Sequence, residues 1–425
     1  MKLTKIIEFK NNKQLTLNNN IIYYIPKYVY IPLFDNNEKY VSTLQINAYV
    51  QMGQVVAKGN KTNTLIHSSI SGIVTSIDKK MYINSGLKVN CIEIKNDYNN
   101  NSIIENKNCI YEKNEIIKRI ENSGIIGMGG AGFPTAQKYK NKTFSTLIVN
   151  GCECEPFITC DYRLMLEQTI ILINGIHYVL KAIEGKIAYI CIKENYHDLF
   201  ATLSHYIDDK IKIILVDNKY PVGYERYLVE KITKKKYDKL PSEVDCVVNN
   251  VSTIISIHDA VKYNIPLISR VVTVTGNCLD KQINIRLKLG TNIEEIFENV
   301  CIIKHKYYDK HLIAGGPMTG KCIPESNLIV TKTLNSVIIN PYLRRQNEVV
   351  PCIGCGKCSS VCPMKLTPTQ ILFYYNKNEK EELKKLKANL CIKCGLCSYI
   401  CPSRIDLTII TSKVSDLIRR GYNGK

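Results

Sequence analysis

Eight cysteines near the C-terminus could hold iron–sulfur clusters, because they form two copies of one motif. Each copy reads Cys-x-x-Cys-x-x-Cys-x-x-x-Cys-Pro, and the members are Cys352, Cys355, Cys358 and Cys362, then Cys391, Cys394, Cys397 and Cys401. Three thiolates of such a loop approach one face of a cubane, and in two-cluster ferredoxins the fourth cysteine ligates the other cluster. The sequence therefore predicts two [4Fe–4S] clusters, the first on Cys352, Cys355, Cys358 and Cys401 and the second on Cys391, Cys394, Cys397 and Cys362. Structural zinc sites are the alternative, but they prefer ligands in two pairs.

A glycine-rich loop is the second candidate site. The glycines that match the pattern G-x-G-x-x-G are Gly127, Gly129 and Gly132. In a dinucleotide-binding fold this pattern follows a strand and opens a helix, whereas here a helical segment precedes the loop and Pro134 follows it. Backbone N–H groups of the loop can still cradle a phosphate, with residues 135–139 as a helix N-terminus and Lys138 as a counter-charge. A purely structural glycine turn is the alternative.

An acidic turn follows the apolar run at 144–150, which is predicted to be a strand. Its polar members are Asn150, Glu153 and Glu155. In α/β sheets ligands bind outside the carboxyl ends of parallel strands, so we expect these side chains to face the same crevice as the glycine loop. The two carboxylates could form a general acid/base pair or accept hydrogen bonds from ribityl or ribose hydroxyls. Hydroxyl binding fits better beside clusters, which carry electrons and not protons.

The elements that position these residues predict an α/β multidomain fold. Short β-branched runs at 43–97 predict a structural barrel-sandwich β domain, without the hairpin lysine of a lipoyl or biotinyl carrier. Alternating helical and strand patterns from 114 onward predict a parallel sheet covered by helices, one of them over 161–184. Residues 270–320 predict a compact α+β unit, and the cysteine region is predicted to be helical. The predicted domain boundaries are 1–110, 111–265, 266–330 and 331–425.

Composition limits the classes of protein to which the chain can belong. Its 425 residues imply two or more domains. The formal charge is +19, but the lysines are scattered through Ile-, Asn- and Tyr-rich sequence, so we expect no nucleic-acid partner. The chain opens without a secretory h-region, and its longest apolar run is too short and too interrupted to span a bilayer. We therefore expect the 18 cysteines to stay reduced, and those outside the two motifs to be mostly small buried hydrophobes.

Several motifs resemble the flavin subunit of respiratory complex I and, more closely, the C subunit of Rnf-type ion-translocating oxidoreductases. They are GxGGAGFPTAxK from Gly127, NGCECEP from Asn150 with the following ITCDYRLM, GYE at 223–225, NNVST at 249–253 and RVVTVTG at 270–276. Complex I relatives carry a single cluster in a different helical domain, so the paired cysteine motif favours the Rnf type. The likeness covers about residues 20–410.

The resemblance implies that the central domain binds FMN and NAD(H) and that residues 270–320 form a β-grasp ligand-binding-like domain. The FMN contacts that it implies are Gly127, Gly129, Gly130, Lys138, Asn150, Asn249 and Asn250. It places Phe133, Glu155 and Glu225 near the nicotinamide. Glu153 in the acidic turn and Gly223 in the GYE turn complete the predicted cofactor-binding set. Two positions depart from the complex I pattern: Cys152 replaces an aspartate, and Tyr224 replaces the first of two glutamates.

The resemblance further implies a peripheral subunit of a membrane-bound complex that couples electron transfer between NAD(H) and a ferredoxin-type carrier to ion translocation. FMN would divide the electron pair of a hydride between two single-electron clusters. The expected partners are the integral membrane and other subunits of the complex and a ferredoxin or similar carrier, on the cytoplasmic side of the bacterial inner membrane. Two alternatives stay open: a soluble cobalamin reductase built from the same modules, and a non-catalytic cluster-bearing electron wire or scaffold.

Overall fold

The computed structural model describes residues 11–105, 112–304, 310–341 and 348–419. The strands of its first part are β1 (Ile22–Tyr23), β2 (Tyr28–Pro32), β3 (Phe34–Asp35), β4 (Glu38–Val41), β5 (Tyr49–Val50), β6 (Val55–Gly59), β7 (Leu65–His67), β8 (Gly72–Tyr82) and β9 (Lys88–Asn96). Strands β2-β9-β8-β5 and β3-β4-β6-β7 form two four-stranded antiparallel sheets. Buried residues of both sheets, including Val29, Val56 and Ile94, share one apolar core. This barrel unit agrees with the expected barrel sandwich.

The central unit, residues 112–263, alternates strands and helices. Its elements are α1 (Lys113–Asn122), α2 (Thr135–Tyr139), β10 (Thr146–Asn150), α3 (Cys160–Glu167), α4 (Thr169–Ile183), β11 (Ile187–Lys193), α5 (His197–Tyr206), β12 (Ile211–Val216), α6 (Glu225–Thr233), β13 (Cys246–Asn250) and α7 (Val251–Tyr263). The sheet order is β12-β11-β10-β13, and every pairing is parallel. The expected helix-covered parallel sheet is therefore confirmed.

The strand order of the central unit creates a crevice at one edge of the sheet. From β10 the chain adds β11 and β12 on one side and β13 on the other, and such a reversal opens a ligand-binding crevice at the carboxyl ends of the strands. Asn150 at the end of β10 lies opposite Asn250 at the end of β13. The sheet thus brings the predicted asparagines to this crevice.

The single helix predicted over 161–184 is wrong, because the structure has two helices there. Helix α3 ends at Glu167, and α4 begins at Thr169. Gln168 between them leaves helical geometry, with φ −125° and ψ 35°, and the Thr169 hydroxyl bonds back to the carbonyl of Met165 at 2.6 Å. Side-chain bonding of this kind competes with the helical pattern and bends helices.

A six-stranded sheet follows the central unit. Its remaining elements are β14 (Ser269–Thr275), β15 (Ile283–Lys288), α8 (Ile293–Asn299), β16 (Lys310–Ala314), β17 (Lys321–Ile323) and β18 (Ser336–Pro341). The order is β1-β15-β14-β18-β16-β17, with β14 and β18 parallel at its centre. Strand β1 comes from the N-terminal segment and pairs with β15. Apolar residues of this six-stranded unit and of the central unit form one continuous core.

The C-terminal cysteine unit is helical, as predicted. Its helices are α9 (Lys357–Ser360), α10 (Pro368–Asn376), α11 (Lys380–Lys385), α12 (Leu396–Tyr399) and α13 (Leu407–Arg419). Helices α10 and α13 pack against each other around a small core that includes Ile371 and Val414. Among the described residues, no helix is long and apolar enough to cross a membrane.

Candidate functional site

The second predicted ligand set lines one cavity of the cysteine unit. Its members are Cys362, Cys391, Cys394 and Cys397, and Leu366, Thr408 and Thr411 line the same cavity. The backbone N–H of Leu366 donates to Cys362 Sγ at 3.3 Å, and that of Lys393 donates to Cys391 Sγ at 3.4 Å. Four soft sulfur donors with N–H groups aimed at them fit a [4Fe–4S] cluster, since such hydrogen bonds tune its potential.

The first predicted ligand set lies nearer the surface. Cys352 and Cys355 are exposed, Cys358 is buried and Cys401 is half-buried. The N–H of Val350 donates to the carbonyl of Ser403 at 3.2 Å, and the Ser403 hydroxyl donates to the carbonyl of Pro351 at 3.0 Å. These bonds hold the start of the first cysteine loop beside the end of the second motif, which is the arrangement that crossed ligation requires.

Left-handed backbone residues shape both cysteine loops. Gly354 and Gly356 in the first loop have φ of 69°, and Gly395 in the second has φ of 81°. Lys393 occupies the position of Gly354 and also has a positive φ, 58°, while its ammonium pairs with Asp416 at 2.7 Å. Glycine adopts this geometry without strain, so the small residues between the cysteines allow the chain to turn tightly.

The glycine loop packs against the N-terminus of α7. The N–H of Gly127 donates to the carbonyl of Phe133 at 2.9 Å, and the N–H of Met128 donates to the Thr253 hydroxyl at 3.0 Å. A Cβ on Gly129 would lie 2.7 Å from Asn250, whereas a Cβ on Gly130 would meet no described atom within 4 Å. The loop therefore needs glycine at 129 for packing and presents Gly130 to open space.

Lys138 lies beside this loop, and the charges of Lys138 and Glu225 influence each other. Lys138 Nζ lies 3.4 Å from the carbonyl oxygen of Val248 and 3.8 Å from where a Cβ on Gly127 would stand. Burial lowers the pKa of Lys138, and the charge of Glu225 opposes that effect. Burial likewise raises the pKa of Glu225, and Lys138 opposes it. The pair thus places one cation beside the glycine loop, as an anion-binding loop requires.

The asparagines hold the loops around the crevice. Asn150 Nδ2 donates to the carbonyl of Gly223 at 2.8 Å, and Asn250 Oδ1 caps α7 by accepting from the Ser252 N–H at 2.9 Å. Asn249 Nδ2 donates to the Tyr139 hydroxyl. Two buried oxygens nearby, Asn249 Oδ1 and Thr135 Oγ1, have no hydrogen-bond partner among the described residues. Unpaired buried polar atoms are costly, so this region fits a polar ligand such as FMN.

The two glutamates of the acidic turn have separate roles in the structure. Glu153 Oε1 accepts from the N–H of Asp161 at 2.8 Å at the start of α3, and Oε2 lies 3.7 Å from Lys13 Nζ. Glu155 instead accepts from the Met318 N–H at 3.0 Å and from the Thr319 hydroxyl at 2.5 Å. The carboxylates therefore do not form a joint acid/base pair, and the packing of Glu153 does not favour its predicted hydroxyl-binding role.

Two residues that support the site escaped the sequence reasoning. Lys13 Nζ donates to the carbonyls of Glu153 (2.9 Å) and Ile158, and burial lowers its pKa to about 8. Asp161 Oδ2 accepts from Asn250 Nδ2 at 2.6 Å, and so fixes the asparagine on which Gly129 packs. No local pattern marks Lys13, but Asp161 belongs to the ITCDYRLM motif and could have been chosen from it.

The remaining cysteines and site residues are placed as follows. Of the described cysteines outside the two motifs, all are buried except Cys154, which is half-buried, and Cys322, which is exposed. Cys109 lies outside the described residues.

Phe133 is 49% exposed at the end of the glycine loop. The N–H of Gly223 donates to Cys154 Sγ at 2.8 Å, which ties the GYE turn to the acidic turn.

Comparisons with known families match three parts of the chain. Residues 2–99 match the RnfC barrel sandwich hybrid domain. Residues 120–259 match the Nuo51 FMN-binding domain, and residues 351–405 match the 4Fe-4S dicluster domain. The matched ranges contain the barrel unit, the glycine loop with its crevice, and both cysteine motifs.

Curated relatives include proteins described as the C subunit of an ion-translocating oxidoreductase complex. The relative from Vibrio cholerae is 32% identical over 391 residues, which cover 89% of this chain and 50% of that protein. Those from Pseudomonas aeruginosa and Rhodobacter capsulatus are also 32% identical, over 79% and 76% of this chain and 45% and 64% of the relatives. The chain thus spans about half to two thirds of the length of these curated relatives.

A solved structure shares the fold over much of the chain. The NAD+-reducing [NiFe]-hydrogenase in its H2-reduced state aligns with a TM-score of 0.51 at 17% identity, over 73% of this chain and 62% of that chain. At this identity the likeness concerns the fold alone.

Proposed function

Because the chain belongs to the family of C subunits of ion-translocating oxidoreductase complexes, we propose that it transfers electrons between NAD(H) and a ferredoxin-type carrier within such a complex. FMN and two [4Fe–4S] clusters would carry the electrons. The observation that carries the proposal is that one chain combines an FMN-binding domain with a dicluster domain. Family membership favours this function over a soluble cobalamin reductase.

The central unit supplies the groups that would hold FMN. The glycine loop offers exposed backbone at Gly129 and Gly130, and Lys138 provides a positive charge beside it. Asn249 Oδ1 offers an acceptor that no donor among the described residues uses. A bound flavin supplies the conversion between hydride transfer and single-electron transfer. The chain's own part is to fix the loop through the bond between Asp161 and Asn250 and to hold the positive charge of Lys138 beside it.

The cysteine unit would hold the two clusters through crossed ligands. We assign Cys352, Cys355, Cys358 and Cys401 to the first cluster and Cys391, Cys394, Cys397 and Cys362 to the second. Hydrogen bonds to the second set from backbone N–H groups and from Thr408, whose hydroxyl lies 3.3 Å from Cys397 Sγ, would raise the potential of that cluster.

The domain assignment is part of the same proposal. We assign 1–110 to the barrel sandwich and 111–265 to the FMN/NAD(H) domain, as predicted. The predicted boundary at 330 between the β-grasp-like domain (266–330) and the ferredoxin-type domain (331–425) falls too early, because β18 pairs with β14 and β16, so we move it to residue 341. The order β15-β14-β18-β16-β17, with α8 between β15 and β16, supports a β-grasp arrangement. Strand β18 extends this sheet past residue 330.

Ion translocation would belong to partner subunits, with this chain peripheral on the cytoplasmic side of the bacterial inner membrane. The +19 charge would assist docking on an anionic leaflet, but salt screens such attraction within about 8 Å. Without partners the protein should therefore bind anionic liposomes weakly and detach as salt rises, whereas in native membranes it should resist higher salt. Equal salt sensitivity in both settings would identify lipid as the anchor and favour the soluble reductase.

The proposed chemistry is tested by anaerobic reconstitution followed by flavin and iron analysis and by titration with NADH. We expect FMN together with about eight iron and eight sulfide per chain, since each cubane holds four of each. NADH should bleach the flavin and reduce the clusters. Full cofactor content without any reduction by NADH would favour the non-catalytic wire or scaffold.

A further inference from the structure

The turn between β16 and β17 lies between the acidic turn and the second cysteine loop. Glu155 reaches this turn from the central unit and accepts from the Met318 N–H at 3.0 Å and from the Thr319 hydroxyl at 2.5 Å. A Cβ on Gly316 would lie 2.3 Å from Glu155 Cδ, so only glycine admits the carboxylate at this point. The turn is therefore built around the side chain of Glu155.

The opposite side of the same turn touches the second cysteine loop. A Cβ on Gly395 would lie 2.6 Å from the Met318 carbonyl oxygen, and Gly395 has a φ of 81°. Close backbone contact of this kind needs glycine. The loop that carries Cys394 and Cys397 is thus seated directly on the residue whose N–H Glu155 holds.

A second contact joins the cysteine loop to the central unit. Tyr220 follows β12, and its hydroxyl donates to the carbonyl of Cys394 at 2.8 Å. Tyr220 is also buried in an apolar cluster with Val361 and Leu396 of the cysteine unit, and Met318 packs against that cluster. Residues 348–357, which carry Cys352 and Cys355 of the first set, have no such seat, since all of them are exposed. Val361 of the first motif directly precedes Cys362, which is a predicted ligand of the second cluster.

We propose that Glu155 is a positioning residue that latches the Met318 turn and thereby seats the second cysteine loop against the flavin-binding unit. These contacts hold the second cysteine loop against the flavin-binding unit. A cluster bound there would exchange electrons with a bound flavin before the first cluster does. The electron path rests on the proposed function, whereas the latch rests on the contacts alone. This role differs from the nicotinamide contact that the resemblance implies, because both carboxylate oxygens are engaged by the turn.

The latch is tested first by hydrogen exchange of the cofactor-loaded protein, read by mass spectrometry. Glu155→Ala should speed exchange at Met318 and in the loop at 391–397 by about tenfold or more, because charge-assisted bonds are lost. Thr319→Val should give a smaller increase at the same sites. Glu155→Gln should stay close to the wild type, since its amide can accept from Met318 and donate to Thr319.

Glu121→Ala is the matched control, because Glu121 pairs with Lys140 on an exposed face of α1, away from the turn. It should leave exchange in both segments unchanged. If Glu155→Ala and Thr319→Val also leave these segments unchanged, the latch does not exist. If Glu155→Ala fails to fold, Thr319→Val decides the question.

The electron path is tested by stopped-flow reduction with NADH, which delivers two electrons as a hydride, followed by paramagnetic resonance of the clusters. Glu155→Ala should slow cluster reduction about tenfold while flavin reduction and iron content stay near the wild type. Slower flavin reduction with a raised KM for NADH, in Glu155→Gln as well, would instead assign Glu155 to the nicotinamide and overturn the latch. A wild-type chain that NADH does not reduce would contradict the proposed function, while hydrogen exchange would still decide the latch.

Discussion

Lys332 lies where the barrel unit, the central unit and the six-stranded unit meet, and it makes the stability of the protein depend on pH. Replacing it with methionine should remove that dependence. Its ammonium donates to the carbonyl of Leu65 in the barrel unit at 2.8 Å and to that of Gly124, before the glycine loop, at 2.7 Å. The side chain is buried, and burial lowers its pKa from 10.5 to about 7 although the charge of Asp35 opposes this.

The sign of the effect follows from proton binding. Between pH 7 and 10.5 the unfolded chain holds a proton on this lysine that the folded chain has released, so stability rises with pH across this window. The gain is lost as pH falls from 10.5 to 7, and below 7 both states hold the proton and the slope disappears. The full shift corresponds to roughly 5 kcal/mol, and the rise from pH 7 to 9 to roughly 2 kcal/mol. Lys332→Met removes this slope, but it leaves two carbonyls without a donor, at a cost of about 1–3 kcal/mol each.

The measurement is the guanidinium midpoint of anaerobic protein at pH 7, 8 and 9, followed by far-UV circular dichroism because the chain has no tryptophan. Lys118→Met is the control, since Lys118 is exposed on α1. The control and the wild type should gain stability together as pH rises, while Lys332→Met should lag by roughly 2 kcal/mol at pH 9. Parallel profiles for Lys332→Met and the wild type would refute the reasoning.

Three further predictions concern the site itself. Cys362→Ala should weaken the paramagnetic resonance signal of the second cluster more than that of the first, and Cys401→Ala the reverse; the opposite pattern would rule out crossed ligation. Gly130→Val should lose most of its FMN and keep its iron. A Cβ at this position meets no described atom of the chain and points into open space where the cofactor would lie. Unchanged FMN content would mean that the loop has only a structural role. Asp161→Ala should lower the free energy of unfolding by about 1–3 kcal/mol, because it leaves the amide of Asn250 unpaired, while Asp161→Asn should lose less. Equal thermal stability of the two Asp161 variants would contradict this role.

Short-range patterns were enough to predict the cysteine unit and the class of the central unit. The cysteine spacing, with Gly354, Gly356 and Gly395 between the ligands, determines tight turns locally, and these glycines do have a positive φ. Alternating strand and helix patterns likewise predicted the parallel sheet, since each element is recognised within a few residues. Such features could be predicted because their causes lie close together along the chain.

Only the tertiary structure decided what the two glutamates of the acidic turn bind. Glu153 and Glu155 are separated by one residue, yet one pairs with Lys13 near the N-terminus and the other holds Met318. Both partners are more than a hundred residues away in sequence, so no local pattern encodes which carboxylate faces which unit. Burial then raises the pKa of Glu155 and lowers that of Lys13 to about 8. The sequence determines which chemical groups are present, whereas long-range packing determines which of them meet.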